Sequence, residues 1–325
     1  MKAVLCKQYG LPDTLAVEDI PSLVPAAGQV VVSMKAAGVN FPDALIIQGK
    51  YQVKPPMPFS PGSELAGVVK EVGAGVTNVK VGDAVIAYAG YGGYAEEVAV
   101  DARTCIPMPA GVDFKVAASF MMTYGTSYHA LKDRAQLQPG ETLLVLGAAG
   151  GVGSAAVELG KLMGARVIAA ASSDDKLAAC KLLGADATIN YATEDLREAT
   201  KRITEGKGVD VVYDPVGDKF TEPAMRDMAW GGRYLVIGFA GGEIPKIPLN
   251  LPLLKGFSIV GVFWGSFTRK EPKKNEANVS ELLGWIASGK LKPLVSAAYP
   301  LEQAARALND VMERRVKGKV VLVPA

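Results

Sequence analysis

Residues 142–153, Thr-Leu-Leu-Val-Leu-Gly-Ala-Ala-Gly-Gly-Val-Gly, constrain this chain more than any other stretch. Thr142 to Leu146 form a short apolar run closed by glycine, which reads as a strand buried on both faces, as in a parallel sheet. A glycine-rich turn follows at once. Val152, Ala156, Leu159 and Met163 then recur on one helical face. Strand, tight turn and helix N-terminus together make an anion site, because the first-turn N–H groups and the helix dipole both favour negative charge. Gly150 lets the backbone approach a pyrophosphate, and Gly153 lets the helix pack close to the strand. The match to G-x-G-x-x-G is imperfect, since Ala148 stands at the first glycine position.

The rest of the chain narrows the class. Its 325 residues suit about two domains, and 49% hydrophobic content is ordinary for an α/β protein. A formal net charge of only +2, with no Lys/Arg block, argues against a nucleic-acid or membrane-surface protein. No apolar run reaches membrane-spanning length, and no N-terminal signal pattern is seen. Cys6, Cys105 and Cys180 stand far apart with no CxxC, which points to a reducing cytosol and a cytoplasmic protein.

Residues 1–120 are β-rich. Short runs at 2–6, 29–36, 65–72, 83–88 and 94–100 alternate with Gly/Pro/Asp/Asn punctuation, as in an antiparallel barrel or sandwich. Residues 55–62, with four prolines, form a stiff extended loop that either lines a site or is a rigid connector. Helical patterns follow near Asp113 and over 123–134. Beyond the glycine turn the chain alternates: strands at 167–171, 187–190, 209–213, 234–237 and 258–262, helices at 174–183, 194–204 and 220–228. That alternation predicts a doubly wound parallel sheet with ligands beyond the C-terminal strand ends. The glycine turn, Asp214-Pro215-Val216-Gly217 and Gly238-Phe239-Ala240-Gly241-Gly242 converge at that edge. Helices at 276–288 and 301–313 and a strand at 320–323 end the chain, and that strand is placed to rejoin the N-terminal β unit.

The dinucleotide can be read from the second strand. NAD-binding units put a carboxylate at its end, on the ribose 2′-hydroxyl. Here the end is Ala170-Ala171-Ser172-Ser173, and Asp174-Asp175 read as a helix cap. Ala171 leaves room for a 2′-phosphate, Ser172 and Ser173 can donate hydrogen bonds, and Lys176 supplies charge. NADPH is therefore expected, although Ser172 and Ser173 also suit simple helix capping.

These residues, taken with several others, resemble the zinc-free quinone oxidoreductase branch (zeta-crystallin-like) of the medium-chain dehydrogenase/reductase family. The matching segments are Met1-Lys2-Ala3-Val4, Gly38-Val39-Asn40-Phe41-x-Asp43, Pro61-Gly62-Ser63-Glu64-x-Ala66-Gly67-Val68-Val69, Val81-Gly82-Asp83-Ala84-Val85, Ala148 to Gly153 and Lys319-Val320-Val321-Leu322. The resemblance implies an α/β chain made of a GroES-like β-rich domain (1–122 and 266–325) and a Rossmann doubly wound parallel-sheet domain (123–265), with the active site in the cleft between them. Zinc-dependent relatives carry Cys where this chain has Asn40 and His where it has Ser63. One His and three scattered Cys cannot supply a zinc site, so no metal is expected.

Hydride delivery from NADPH to an electron-poor acceptor is the implied chemistry, and a neutral donor near the developing oxyanion would assist it. The resemblance places Asn40 and Tyr51 in that role, with Leu45, Phe59 and Trp264 lining the substrate pocket. Leu45 stands where quinone reductases commonly have tyrosine. Capping by Asn40 and core packing of Tyr51 remain alternatives, as does a subunit interface for Trp264. For the cofactor, the resemblance implies Thr126 at the nicotinamide, Ala149, Gly150, Gly151 and Val152 at the pyrophosphate, and Gly217, Gly238 and Phe239 near the ribose. It also implies Phe263 and Gly265 at the carboxamide, Tyr191 near the adenosine phosphate, and Arg314 or Arg315 reaching that phosphate. His129 reads as a helix-face residue. Three functions stay open: an NADPH:quinone reductase, a C=C reductase of 2-alkenals, enones or 2-enoyl thioesters, and an NADPH-binding regulatory or structural protein with little turnover. A homodimer is expected through edge strands around 256–266.

Overall fold

The computed structural model describes residues 1–324. It divides into two compact units, Met1–Met122 with the described residues from Lys292 onward, and Thr123–Leu291. In chain order the strands are β1 (Lys2–Leu5), β2 (Ala16–Asp19), β3 (Gln29–Val39), β4 (Glu64–Val72), β5 (Ala84–Tyr88), β6 (Glu97–Asp101) and β7 (Cys105–Pro107) in the first unit. The second holds β8 (Thr142–Leu146), β9 (Arg166–Ala171), β10 (Ala187–Asn190), β11 (Val209–Asp214), β12 (Met228–Val236) and β13 (Ser258–Gly261). β14 (Val295–Pro300) and β15 (Lys319–Val323) return to the first.

The first unit is built around β3. β4 pairs antiparallel along most of its length, while on its other side β6 pairs with residues 29–33 and β15 with residues 37–39. The sheet runs β14-β15-β3-β4-β5-β7, so the last strand completes a sheet begun near the N-terminus. Its core gathers Val30, Val32, Met34, Leu65, Val85 and Tyr94 with Ala304, Ala307 and Leu308 of the helix Ala304–Met312. Each fully buried aliphatic side chain there contributes about 1.5–3 kcal/mol.

The second unit is a six-stranded sheet in the order β10-β9-β8-β11-β12-β13, parallel throughout. Val167, Ile168, Leu143, Leu144, Val211 and Val212 are fully buried, as strands covered on both faces must be. Helices start on side-chain caps: Ser173 before Asp174–Leu182 and Asp195 before Leu196–Ile203.

Several expectations need correction. The return to the first unit falls after Leu291, not at 266. The helices Trp264–Lys270 and Pro272–Ala287 belong to the second unit because they pack on its residues 128–133. Phe267 stacks on His129 with ring centroids 3.8 Å apart, and Asn278 donates to Asp133 at 2.8 Å. Lys132 and the Tyr128 hydroxyl both reach Glu281. The strand expected at 234–237 runs from Met228, because Gly231 and Gly232 interrupt its apolar pattern at an irregularity in the pairing. β7 and β14, short and bordered by proline, carry too little periodicity to be read.

The glycine turn has a steric explanation. Gly147, one residue before the expected position, supplies the left-handed turn with φ +57°, and Ala148 is fully buried. A Cβ on Gly153 would lie 2.3 Å from the Gly147 carbonyl oxygen, whereas one on Gly150 would lie 3.3 Å away. Gly153→Ala should therefore cost about 1–3 kcal/mol in urea denaturation, and Gly150→Ala clearly less.

Candidate active site

In the first unit the structure brings together a buried polar network that the sequence reading did not identify. Asn40 precedes the short helix Phe41–Ile46, and its N–H donates to Asp43 Oδ2 at 2.9 Å. The Tyr94 hydroxyl donates to the same oxygen at 2.9 Å. Asn40 Nδ2 donates to Glu64 Oε1 at 2.9 Å, and its Oδ1 accepts from Lys319 Nζ. Lys319 Nζ also donates to Glu64 Oε1 at 3.0 Å and to the Val39 carbonyl at 2.9 Å. Glu64 Oε2 accepts the Met122 N–H at 2.8 Å. Asp43, Glu64 and Tyr94 are fully buried, and Lys319 is nearly so. A buried ion pair survives only when its remaining hydrogen-bond capacity is filled in this way.

This network changes the roles of the acceptor-side candidates. Asn40 is not a free donor, since its amide joins Lys319 to Glu64. Phe59 is a core residue, 4% exposed, bridged to Cys6 and set edge-on to Tyr91. Leu45 is half-buried on the helix Phe41–Ile46. Tyr51 is also half-buried, and its hydroxyl makes no hydrogen bond among the described residues. Burial, then the charge of Asp43, raises the Tyr51 pKa above that of an ordinary phenol, so the group stays a neutral donor. The missed residues left one signal: charged side chains (Asp43, Glu64, Lys319) standing inside or beside apolar runs.

In the second unit the cofactor candidates gather at the C-terminal ends of the strands. Gly150 caps the helix Gly151–Leu162, and the first amide with a partner inside that turn is Ser154's, which donates to the Gly150 carbonyl at 2.8 Å. The N–H groups of Gly151, Val152 and Gly153 therefore face the helix end. Ala149 is buried beside them. Ser127 holds the turn from behind, donating to the Val152 carbonyl at 2.9 Å and pairing with Tyr213. Past β9, Ser172, Ser173 and Lys176 form one group: Lys176 Nζ donates to Ser172 Oγ at 3.2 Å, and Ser173 caps the following helix. Asp174 is engaged by Asn190 at 2.8 Å. Tyr191 follows β10, donates its N–H to the Ala171 carbonyl and packs on Phe220.

The two other loops are tied to each other. Gly241 donates to the Val216 carbonyl at 2.7 Å, and Ala240 donates to that of Pro215 at 3.0 Å. Buried Asp214 organises both. Its carboxylate accepts the Val216 and Gly217 amides at 2.8 Å each, together with the hydroxyls of Thr221 and Tyr234. Gly238 donates to the Asp214 carbonyl, and Phe239 is 38% exposed. Phe263 is half-exposed ahead of the helix that Trp264 and Gly265 begin, and Thr126 is half-buried on the helix Met121–Tyr128.

Two further candidates are engaged within their own units. Trp264 is 4% exposed and packs on Gly125, where a Cβ would sit 2.8 Å from its ring. Its ring is thus largely buried within the second unit. Arg315 is held by Asp310 at 2.6 Å and by Glu313, so its guanidinium is already engaged within the first unit. Among the described residues, no group of three or more His, Cys, Asp and Glu side chains is placed to hold a metal. No helix among them is long and apolar enough to cross a membrane.

The two modules define an alcohol-dehydrogenase-type oxidoreductase class. Residues 26–110 match the alcohol dehydrogenase GroES-like domain, and residues 151–284 match the module described as zinc-binding dehydrogenase. The chain is 40% identical over 325 residues to a quinone oxidoreductase-like protein 2 homolog of Nematostella vectensis, covering 99% of this chain and 88% of that protein. The structure of Escherichia coli quinone oxidoreductase complexed with NADPH superposes with a TM-score of 0.93 at 31% identity, covering all of both chains. The CurK enoyl reductase superposes with a TM-score of 0.89 at 26% identity, covering 100% of this chain and 99% of that one. This chain belongs to the medium-chain dehydrogenase/reductase family, among the quinone oxidoreductases and their close homologues.

Asp43 yields a prediction with a definite sign. Burial pushes its carboxyl up to about 6, and its Oδ1 has no hydrogen-bond partner among the described residues. A carboxyl raised on folding contributes stability that is full below the ordinary carboxylate range and is lost as pH rises through about 6. Asp43→Asn removes that titration while retaining an acceptor for Asn40 and Tyr94. Between about pH 5 and 7.5, wild type should lose on the order of 1 kcal/mol more than the variant, read by denaturant unfolding at the two pH values.

Proposed function

We propose that this protein is an NADPH-dependent, zinc-independent oxidoreductase that reduces a quinone. The observation that carries the reading is the group at the end of β9, where Ser172, Ser173 and Lys176 stand beside Ala171 in the place a carboxylate takes for NAD. The NADPH complex of the Escherichia coli relative supports it. Bound NADPH supplies the hydride. The chain's own residues bind and orient: the Gly151, Val152 and Gly153 amides take the pyrophosphate, and Lys176 with the two serines takes the 2′-phosphate. Ala149 and Gly150 leave room for the backbone's approach, Tyr191 borders the adenosine, and Gly217, Gly238 and Phe239 border the ribose. Thr126, Phe263 and Gly265 orient the nicotinamide.

Tyr51 is the neutral donor for the acceptor oxygen, because its phenol is unpaired and stays protonated. Asn40 is a positioning residue held between Lys319 and Glu64. The proton that completes reduction comes from water. Reduction of a conjugated C=C bond is the second reading, favoured by half-buried Leu45 and by the likeness to an enoyl reductase. β13, at the edge of its sheet, is the surface on which a second copy would pair.

Purified protein should consume NADPH with a small quinone and use NADH poorly. Turnover confined to a 2-alkenal or a crotonyl thioester would select the second reading, and a preference for NADH would overturn the phosphate assignment. Lys176→Ala should raise KM for NADPH about tenfold without changing that for NADH. Tyr51→Phe should lower kcat on the order of 10- to 100-fold with the NADPH KM unchanged.

A further inference from the structure

The second unit contains a cleft that none of this chemistry uses. It lies at the N-terminal ends of β11 and β12, the opposite edge of the parallel sheet from the glycine turn. Its volume is about 250 Å³, just under the roughly 300–1,000 Å³ of small-ligand pockets and small for a dinucleotide. Lys201, Lys207, Arg226 and Lys255 bring four cations to its wall. Lys201's ammonium makes no ion pair or hydrogen bond among the described residues. Arg226 and Lys207 have only exposed partners, Glu222 and Glu205, and Lys255 donates to the Met228 carbonyl at 3.1 Å.

Two further lining residues sharpen the chemistry. Asp227 is 9% exposed, and its Oδ2 is buried without a hydrogen-bond partner among the described residues. Its other oxygen has only Arg197, at 3.7 Å. A buried carboxylate oxygen with no donor calls for one from outside the chain. Trp230 is 81% exposed at the irregularity in β12, with its ring packed over Gly256, where a Cβ would approach to 3.2 Å. An indole fixed this way is a stacking surface for a planar ring.

We propose that this cleft is a second ligand site, for a nucleoside monophosphate. The phosphate meets the four cations, the base stacks on Trp230, and an amino or imino N–H of the base donates to Asp227. Phosphate alone would satisfy the cations but leave Asp227 and Trp230 unused. An uncharged aromatic would leave the cations unused. The combination of anion, ring and N–H donor is what a nucleotide carries.

Isothermal titration of the full chain with each of the four common nucleoside monophosphates, with and without saturating NADPH, tests this. Inorganic phosphate is the comparator, and sedimentation of each variant reports its mass. One monophosphate should bind once per chain, with affinity unchanged by NADPH. Trp230→Ala and Asp227→Asn should each weaken it at least tenfold while leaving phosphate binding unaltered. The double variant Lys207→Glu/Lys255→Glu should abolish both. Trp230 and the two lysines are exposed, so those variants test the site even if Asp227→Asn fails to fold. The proposal is overturned if no monophosphate binds, if NADPH displaces it, or if phosphate binds as tightly as the nucleotide. A Trp230→Ala variant that changes the sedimenting mass and not the nucleotide heat would also overturn it, assigning the patch to a second copy of the chain.

Discussion

The first unit depends on a single buried ion pair. Glu64 opens β4 in a fully buried position, where an unpaired carboxylate would cost several kcal/mol. Lys319, the first residue of the last strand, meets it at 3.0 Å, and Asn40 bridges the two. Three segments far apart in sequence are thereby fixed at one point. The Phe41–Ile46 helix hangs from the same point through Asp43, whose carboxylate also takes the Tyr94 hydroxyl. Tyr94 in turn packs so tightly on Gly62 that a Cβ there would sit 2.3 Å from its ring. Packing, capping and charge neutralisation are one arrangement, and Tyr51 is presented from beside it.

The second unit uses the same device at its functional edge. Asp214 sits at the end of β11 with its carboxylate turned to two loop amides and two hydroxyls. Those contacts hold the Pro215–Gly217 loop, and its carbonyls in turn hold the 240–241 amides. Rigid elements with second-layer hydrogen bonds position ligand-binding loops better than loop residues alone. The N–H groups that open the helix Gly151–Leu162 are already fixed by helix geometry, so little ordering would oppose an anion binding there.

How much of this was legible in the sequence follows from range. The Rossmann strands and their order of alternation were readable because buried parallel strands are continuous apolar runs and glycine marks their turns. The group Ser172, Ser173 and Lys176 was readable because its members are within one helical turn of each other. The Glu64–Lys319 pair was not, since its partners are separated by most of the chain and meet only through sheet pairing. For the same reason the burial of Trp264 and Phe59 was not legible: it depends on distant neighbours, Gly125 and Cys6, that no local pattern announces. The return point at 292 rather than 266 depended on the contacts of His129, Asp133 and Glu281, which no local pattern announces. The pairing of Arg315 with Asp310 and Glu313 was not legible either, because Asp310 lies in the helix Ala304–Met312 while Glu313 and Arg315 lie past its end, where no periodic pattern continues.

The interleaved path of the chain has a consequence for how the protein is made. The first unit's sheet lacks β14 and β15 until the whole second unit has been synthesised, and Glu64 lacks Lys319 as its counter-charge until that residue emerges. The second unit is continuous from Thr123 to Leu291 and holds all of its own strands. Vectorial synthesis therefore favours a nascent chain in which the nucleotide-binding half is native while the half before it waits, its apolar β3 edge open. The C-terminal strand acts as the closing stitch, and a ribosome stalled a few dozen codons early would leave a chain with one finished unit and one that cannot close.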